Sequence, residues 1–422
     1  MSPIPSSNDA QYAFDIVKKI CDEVGPGVPG SPQERARAMI LKKELETHLG
    51  SENVSVEEFT VTPGAFLGWL RIGAVFTAIA TLLNMSAGRF DGVAIWITAS
   101  LAFVFSLVTI LTGIFQFILY YEFAEPFFRK KKSLNLIGKL RKPGAKKEPK
   151  RLLILGGHHD SAIEMNCLRY LGYGYYVAVV TLFIGFIALL AFSVIQLAGA
   201  LTCSDYTVRL GTIGWISLAY PVIPSILFAA FFIGSGKNGG TVPGAADNLS
   251  ASALAVSMCR FLKKYPETIP DDVEIRFISF GSEEAGLRGS RRYVERHLDE
   301  LRKLDARLLN IETVTFPEIQ ILTSDVNGIV KNSPAVVQSV RTAAERAGVP
   351  FKVVPFPFGG GGTDAGSFSQ AGLGATTLLP FNVPKQMVAF YHQKWDSPEV
   401  LTIEPLMNVL KLAFEWIRAG GE

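Results

Sequence analysis

Residues 151–161 read RLLILGGHHDS, an apolar run of strand length that ends in two glycines and then delivers His158 and Asp160. Open sheets gather their ligands at the carboxyl ends of strands, so both side chains are placed where chemistry is done. An imidazole is a good metal donor, and a carboxylate two residues on can hold the opposite ring nitrogen and fix its tautomer. The spacing alone does not define a site, because a histidine is more often an ordinary polar residue.

Working outward, 54–61 alternates like a strand, and 134–140 and 151–155 are short strand-like segments. Helical periodicity marks 11–24 and 32–49. Further on, helices at 253–264, 285–298 and 334–347 alternate with strands at 273–280 and 308–314. Such alternation predicts an α/β fold, with a mixed, mainly parallel sheet sandwiched by helices. If 54–61, 134–140 and 151–155 are successive antiparallel neighbours, the first and third end on the same sheet edge as His158.

Long apolar runs interrupt this pattern. The clearest are 92–121, 170–203 and 210–236; a weaker one, 64–85, holds Arg71 near its start, where a long side chain can snorkel. About 20 apolar residues span a bilayer as a helix, and buried core helices rarely exceed about 14 uncharged residues. Pro221 and Pro224 in the last run are tolerated in a membrane, where neighbouring helices re-satisfy freed carbonyls. Short links at 86–91 and 204–209 join the runs in pairs, giving two inserted transmembrane helical hairpins. The expected organisation is a peptide-chain domain in three pieces, 1–62, 123–169 and 237–422, with hairpins at 63–122 and 170–236. Hydrophobic content of 49% and a mean hydropathy of +0.28 agree with apolar surface facing something other than water.

A hairpin returns the chain to the side it left, so both termini and all polar motifs share one face. Arg129, Lys130, Lys131 and Lys132 follow the first hairpin, with Lys139, Arg141, Lys142, Lys146 and Lys147 behind them. The opposite links offer only Arg89 against Asp91 and Arg209 against Asp205. The positive-inside bias therefore predicts a multi-pass protein of the cell (inner) membrane with this face in the cytoplasm. Ser6, Ser7, Asn8 and Asp9 stand where a signal peptide would need its apolar core, so cleaved export is not expected. Four scattered cysteines, with no C-x-x-C pair, indicate neither a disulfide framework nor a thiolate metal site. A net charge of +3, with no basic run interleaved with aromatics, argues against nucleic acid as a partner.

Four more short motifs carry acids or imidazoles. PGAADN at 243–248 surrounds Asp247 with small residues that let backbone approach a metal pair, although, taken alone, a helix N-cap explains an aspartate there better. SEEAGLRGS at 282–290 ends an apolar strand on Glu283 and Glu284, and adjacent carboxylates point apart, so one can bind metal while the other serves as a general base. Glu312 closes the apolar segment 308–312. His392 follows Phe390 and Tyr391, and Asp396 is placed to support it. His159 should point opposite to His158, while His48 and His297 sit in polar helical contexts.

In this order the motifs resemble the M28 family of zinc peptidases, whose members show His-x-Asp-Ser, Asp-Asn-x-Ser-Gly or Ala, Glu-Glu-x-Gly-x-x-Gly-Ser, an Asp or Glu, and a late Tyr-His. The segment 30–32 with its following helix, 362–368 and the helix after Pro398 are similar as well. The resemblance implies two zinc ions per chain bridged by Asp247, with His158 and Glu312 completing one site and Glu284 and His392 the other. It implies Glu283 as general base and Asp160 as the group orienting His158. Ala246 stands where an extra Asp is frequent, and Thr363, Asp364 and Ala365 replace a common Ser-Asp-His; neither change removes a ligand.

The expected activity is hydrolysis of peptide bonds by a metal-activated water, as an aminopeptidase embedded in the bilayer. A metal site on the edge from which both hairpins leave would face the membrane, and hydrophobic or membrane-associated peptides would be its substrates. The competing readings are a non-catalytic membrane relative and a zinc-dependent glutaminyl cyclase. Side-chain preference and oligomeric state are left open.

Overall fold

The computed structural model describes residues 3–86, 92–146, 148–202, 215–216, 220, 240–357 and 359–422. It divides into two compact units. The first comprises Met1–Pro63, Arg129–Ile163 and Gly240–Glu422; the second comprises Gly64–Phe128 and Glu164–Gly239.

The strands of the first unit are β1 (Val54–Val61), β2 (Lys131–Arg141), β3 (Arg151–His158), β4 (Val273–Phe280), β5 (Arg307–Ile311), β6 (Ile319–Leu322), β7 (Ser324–Asp325), β8 (Val330–Lys331), β9 (Phe351–Val354) and β10 (Gly374–Leu379). Eight of them form one mixed sheet in the order β1-β2-β4-β3-β5-β10-β6-β9, and β7 pairs with β8 apart from it. The central four, β4, β3, β5 and β10, run parallel. Antiparallel partners flank them, β2 beside β4 and β6 beside β10.

β2 and β3 are therefore not neighbours as expected: β4, which follows them by more than a hundred residues, is inserted between them. The direction inferred for β1 and β3 nevertheless stands. β1 is antiparallel to β2, β2 is antiparallel to β4, and β4 is parallel to β3.

Helices on both faces explain why β3 is apolar at every position from Leu152 to Leu155. Leu153 and Leu155 pack into a core with the helices Ser7–Glu23, Pro32–Leu49, Ser250–Lys264, Pro334–Ala347 and Ile403–Arg418. Leu152 and Ile154 face the other way, towards Tyr293, Val294 and Leu301 of the helix Arg288–Lys303 and Phe368 of Asp364–Gln370. At the end of β3 a side chain would not fit: a Cβ on Gly156 would lie 2.2 Å from the Ile278 carbonyl oxygen, and one on Gly157 2.4 Å from Ala251 Cβ. These glycines let the strand and the helix Ser250–Lys264 close up just before His158.

Two expected boundaries shift. The helix after the paired glutamates starts at Arg288, not at 285, because Gly286 (φ 95°) and Leu287 (φ 62°) turn the chain through left-handed conformations that a right-handed helix excludes. β5 stops at Ile311, and Thr313 (φ 46°) turns away from the sheet.

Among the described residues of the second unit, three helices are long and apolar enough to cross a membrane: Ala65–Met85, Val93–Ile118 and Gly174–Thr202. Apolar side chains such as Leu82, Val93, Val177 and Ile187 are exposed on them. A polar seam joins them internally, where Asn84 Nδ2 donates to Ser193 Oγ at 2.8 Å and Ser193 and Ser106 hydroxyls lie 2.9 Å apart. Of the expected fourth run, 210–236, only 215–216 and 220 are described, and the link 204–209 lies outside the described residues.

Candidate metal centre

The sequence-derived donors meet at the carboxyl edge of the parallel strands. His158 ends β3, Glu283 and Glu284 follow β4, and Glu312 follows β5. Asp247 sits in the turn Ala245–Leu249 before the helix Ser250–Lys264, with non-helical backbone angles of its own. His392 enters from the C-terminal part of the chain in a left-handed conformation (φ 49°), and Ser282 beside the paired glutamates is left-handed too (φ 55°). Non-glycine residues in this region cost energy and gather at functional sites.

Asp247 divides its carboxylate between two groups. Its Oδ1 lies 3.3 Å from His158 Nε2, which is 3.4 Å from Glu312 Oε1. Its Oδ2 lies 3.0 Å from His392 Nε2, which is 3.2 Å from Glu284 Oε1. Donors 2.0–2.1 Å from a tetrahedral zinc stand about 3.3 Å from one another, so both triads have the spacing of ligands around a common centre. Ligand atoms of His158, Asp247 and Glu284 also fall within 4.8 Å of one another. Glu283 is set back, with Oε2 3.7 Å from His158 Nε2.

The charges in the site make the same point. Glu312 Oε2 is buried with no hydrogen-bond partner, and Asp247 Oδ2 and Glu284 Oε1, equally buried, share the single His392 Nε2 between them, a costly condition that a cation would relieve. Burial raises the carboxyls of Glu283, Glu284 and Glu312, the last to about 8. Burial also opposes charge on Asp247, but the His158 and His392 imidazoles beside it prevail and hold it well below the usual range. For His392 burial disfavours protonation, yet Glu284 and Asp247 lift the ring to about 10. His158 is lifted likewise, against burial, by Glu312 and Glu283. The pocket holds more negative charge than it can solvate, and its acids and imidazoles fit zinc by type, number and spacing.

Supporting groups refine the sequence reading. Asp160 does more than face His158: Oδ1 and Oδ2 accept from the backbone N–H groups of Glu283 and Glu284, both at 3.0 Å, while His158 Nδ1 lies 3.4 Å from Oδ1 and 3.3 Å from the Asp160 carbonyl. One carboxylate thus positions three site residues. Asp396 accepts from the N–H groups of Ala246 at 2.7 Å and Asp247 at 3.1 Å, and the His392 charge acts on it as well. His392 is stacked on Tyr391, with ring centroids 4.0 Å apart. Asn248 joins the Asp247 turn to the end of β5, donating to the Ile311 carbonyl at 2.9 Å and accepting from Thr313 N–H at 3.3 Å.

Asp364, not singled out as a site residue, is buried and pushed up to about 7 by burial, and its charge acts on Glu283 and Glu312. Its only signal was the Thr-Asp-Ala triplet. His159 points away as expected, with Nδ1 2.8 Å from Ser279 Oγ. His48 and His297 lie elsewhere, beside Tyr12 and Glu57 respectively.

Residues 232–417 match Peptidase family M28. The match includes Asp247, Glu283, Glu284, Glu312 and His392; His158 and Asp160 precede it. The chain is 35% identical over 169 residues to Aminopeptidase YwaD of Bacillus subtilis (strain 168), a stretch that makes up 39% of this chain and 35% of that aminopeptidase. The chain thus spans about a third of that curated relative's length. Its fold is similar to that of BSAP, a zinc aminopeptidase from Bacillus subtilis (TM-score 0.54, 18% identity, 97% of this chain and 95% of that one). An Acidobacteriales bacterium glutaminyl cyclase is similar to nearly the same degree (TM-score 0.53, 13% identity, 99% and 97%).

Proposed function

We propose that this chain is a membrane-embedded zinc peptidase with two metals per chain, acting as an aminopeptidase on hydrophobic or membrane-associated peptides. The division of Asp247 between two His-and-carboxylate pairs carries the reading, because a carboxylate whose oxygens serve separate donor groups has the form of a bridge. Zinc held by His158, Asp247 and Glu312 and by Asp247, Glu284 and His392 would supply Lewis acidity, polarising the substrate carbonyl and acidifying water.

The chain's own groups do the rest. Glu283, close to His158 but outside the ligand spacing, takes the proton from the attacking water and returns it to the departing amine. Asp160 holds the backbone of both glutamates and so keeps base and ligand in register. Asp396 fixes the Asp247 turn.

The membrane reading is supported by three long apolar helices with exposed apolar side chains. The chain leaves the first unit after Pro63 and after Ile163, beyond the ends of β1 and β3 and so from the edge that bears His158. That path supports substrates drawn from the bilayer surface, and the Arg129–Lys132 cluster supports a cytoplasmic active site in the cell (inner) membrane. The retained donors argue against a non-catalytic relative. The fold shared with glutaminyl cyclases makes cyclisation of N-terminal glutamine the competing chemistry.

Purified protein in detergent, given free, N-blocked and glutamine-starting peptides, separates these. Release of free N-terminal amino acids from unblocked apolar peptides supports the proposal. Ammonia release from glutamine-starting peptides without hydrolysis would replace it, and equal rates on polar and apolar peptides would remove the substrate inference.

A further inference from the structure

A groove of about 570 Å³ in the first unit, whose lining includes none of the donor residues, lies between the start of the helix Pro32–Leu49 and the start of β2. Arg35, Arg129, Lys130, Lys131 and Lys132 line it, and the acid in its lining is Glu34. Glu34 does not neutralise them from the surface. It is buried, with Oε1 accepting from the hydroxyls of Ser133 at 2.9 Å and Ser282 at 2.8 Å, and Oε2 accepting from Gly30 N–H at 2.7 Å. Arg35 is paired with Glu58, whose charge also reaches Lys132.

Arg129, Lys130, Lys131 and Lys132 are exposed, and among the described residues none of them forms an ion pair with a carboxylate. The groove floor is preformed. Glu34 ties it to β2 and to the loop of Ser282, and the Lys131 stem packs so closely that a Cβ on Gly30 would lie 2.8 Å from Lys131 Cβ. Four like charges on consecutive residues repel one another, and a multiply bonded anion is what such a cluster accommodates.

The chain shows where that anion comes from. The apolar helix Val93–Ile118 is followed by the exposed aromatics Tyr121, Phe123 and Phe127, the residue type that settles at membrane–water interfaces. Phe127 is 82% exposed and precedes Arg129 by two residues, a reach of roughly 7 Å. The cations therefore follow the apolar helix and its aromatics directly in the chain, in the order of a basic segment next to a span.

We propose that this groove is a binding site for the phosphate headgroup of an anionic phospholipid. The site rests on the membrane reading given above and is independent of the peptidase chemistry. A bound headgroup sits among the guanidinium of Arg129 and the ammonium groups of Lys130–132.

The test uses the full chain in neutral detergent, titrated with phosphatidylglycerol, phosphatidylcholine or inorganic phosphate and read by native mass spectrometry. Wild-type protein is expected to retain phosphatidylglycerol over phosphatidylcholine. The variant carrying Arg129→Gln, Lys130→Gln and Lys132→Gln is expected to bind it on the order of a hundredfold more weakly. Lys131 is left in place because its stem packs on Gly30, and an unchanged melting temperature shows that the variant is folded. Equal retention of the two lipids, or an unaffected variant, overturns the site. Displacement of the lipid by millimolar inorganic phosphate reassigns the groove to a soluble anion and overturns the lipid proposal. Alkaline carbonate extraction of the source membranes separates the two levels: release of the chain refutes the membrane reading, whereas retention without lipid selectivity refutes the groove alone.

Discussion

Asp396→Asn is expected to weaken zinc binding by roughly 10- to 150-fold while leaving the metal-free protein close to its normal melting temperature. Asp396 is buried, and its two oxygens accept from Ala246 and Asp247 N–H at 2.7 and 3.1 Å. Asparagine has one carbonyl oxygen. It keeps one of these bonds and presents an NH2 group to the other donor, losing a hydrogen bond to a charged acceptor worth about 1.5–3 kcal/mol. The cost falls mainly on the loaded state. Without metal, burial and then repulsion from Asp247 push Asp396 up to about 8, so at neutral pH it is largely protonated and neutral asparagine resembles it. Zinc on Asp247 removes that repulsion and favours the carboxylate, which asparagine cannot become. Competition titration against a chelator, paired with melting curves of metal-free and zinc-loaded protein, measures both quantities. Zinc affinity within about twofold of wild type, or an equal fall in melting temperature for both forms, would show a purely structural residue and refute the reasoning.

Glu283→Gln should keep its zinc and lose about 10²- to 10⁴-fold in turnover, since a general base is removed and not a ligand; loss of metal would mean that Glu283 and Glu284 exchange roles. Metal-free protein should be less stable at about pH 8.5 than at about pH 5.5. Burial raises Glu34 and Glu312 to about 8 and Asp364 to about 7, so the folded state holds protons that the unfolded chain has released, and stability present at low pH is lost as pH rises through those values. A melting temperature of chelator-treated protein that is flat over that window would contradict it, and added zinc should stabilise most at the alkaline end. A cysteine placed at Lys146 should be protected from an impermeant reagent in intact cells; labelling from outside would invert the topology.

The parts of this architecture legible in the sequence are those that local chemistry writes. The run 152–155 reads as a strand because both its faces are covered, and Glu283, Glu312 and His158 read as site residues because each ends such a strand. Contacts made across long separations were not legible. β4 enters between β2 and β3 from more than a hundred residues away, and no local pattern announces that pairing. The hydrogen bonds of Asp396 to Ala246 and Asp247 reach back some 150 residues, and nothing local announces them. The late start of the helix Arg288–Lys303 was hidden for another reason: Leu287 has good helix propensity but a left-handed backbone imposed by the turn around Gly286.

The central claim is that Asp247 bridges two zinc ions, and metal stoichiometry tests it most directly. Elemental analysis of active wild-type protein and of Asp247→Asn, both purified in detergent without added metal, should give about two zinc per chain for the wild type and a fall at both sites in the variant. One zinc or none in fully active wild-type protein, or a variant that loses only one of two, would contradict the bridge.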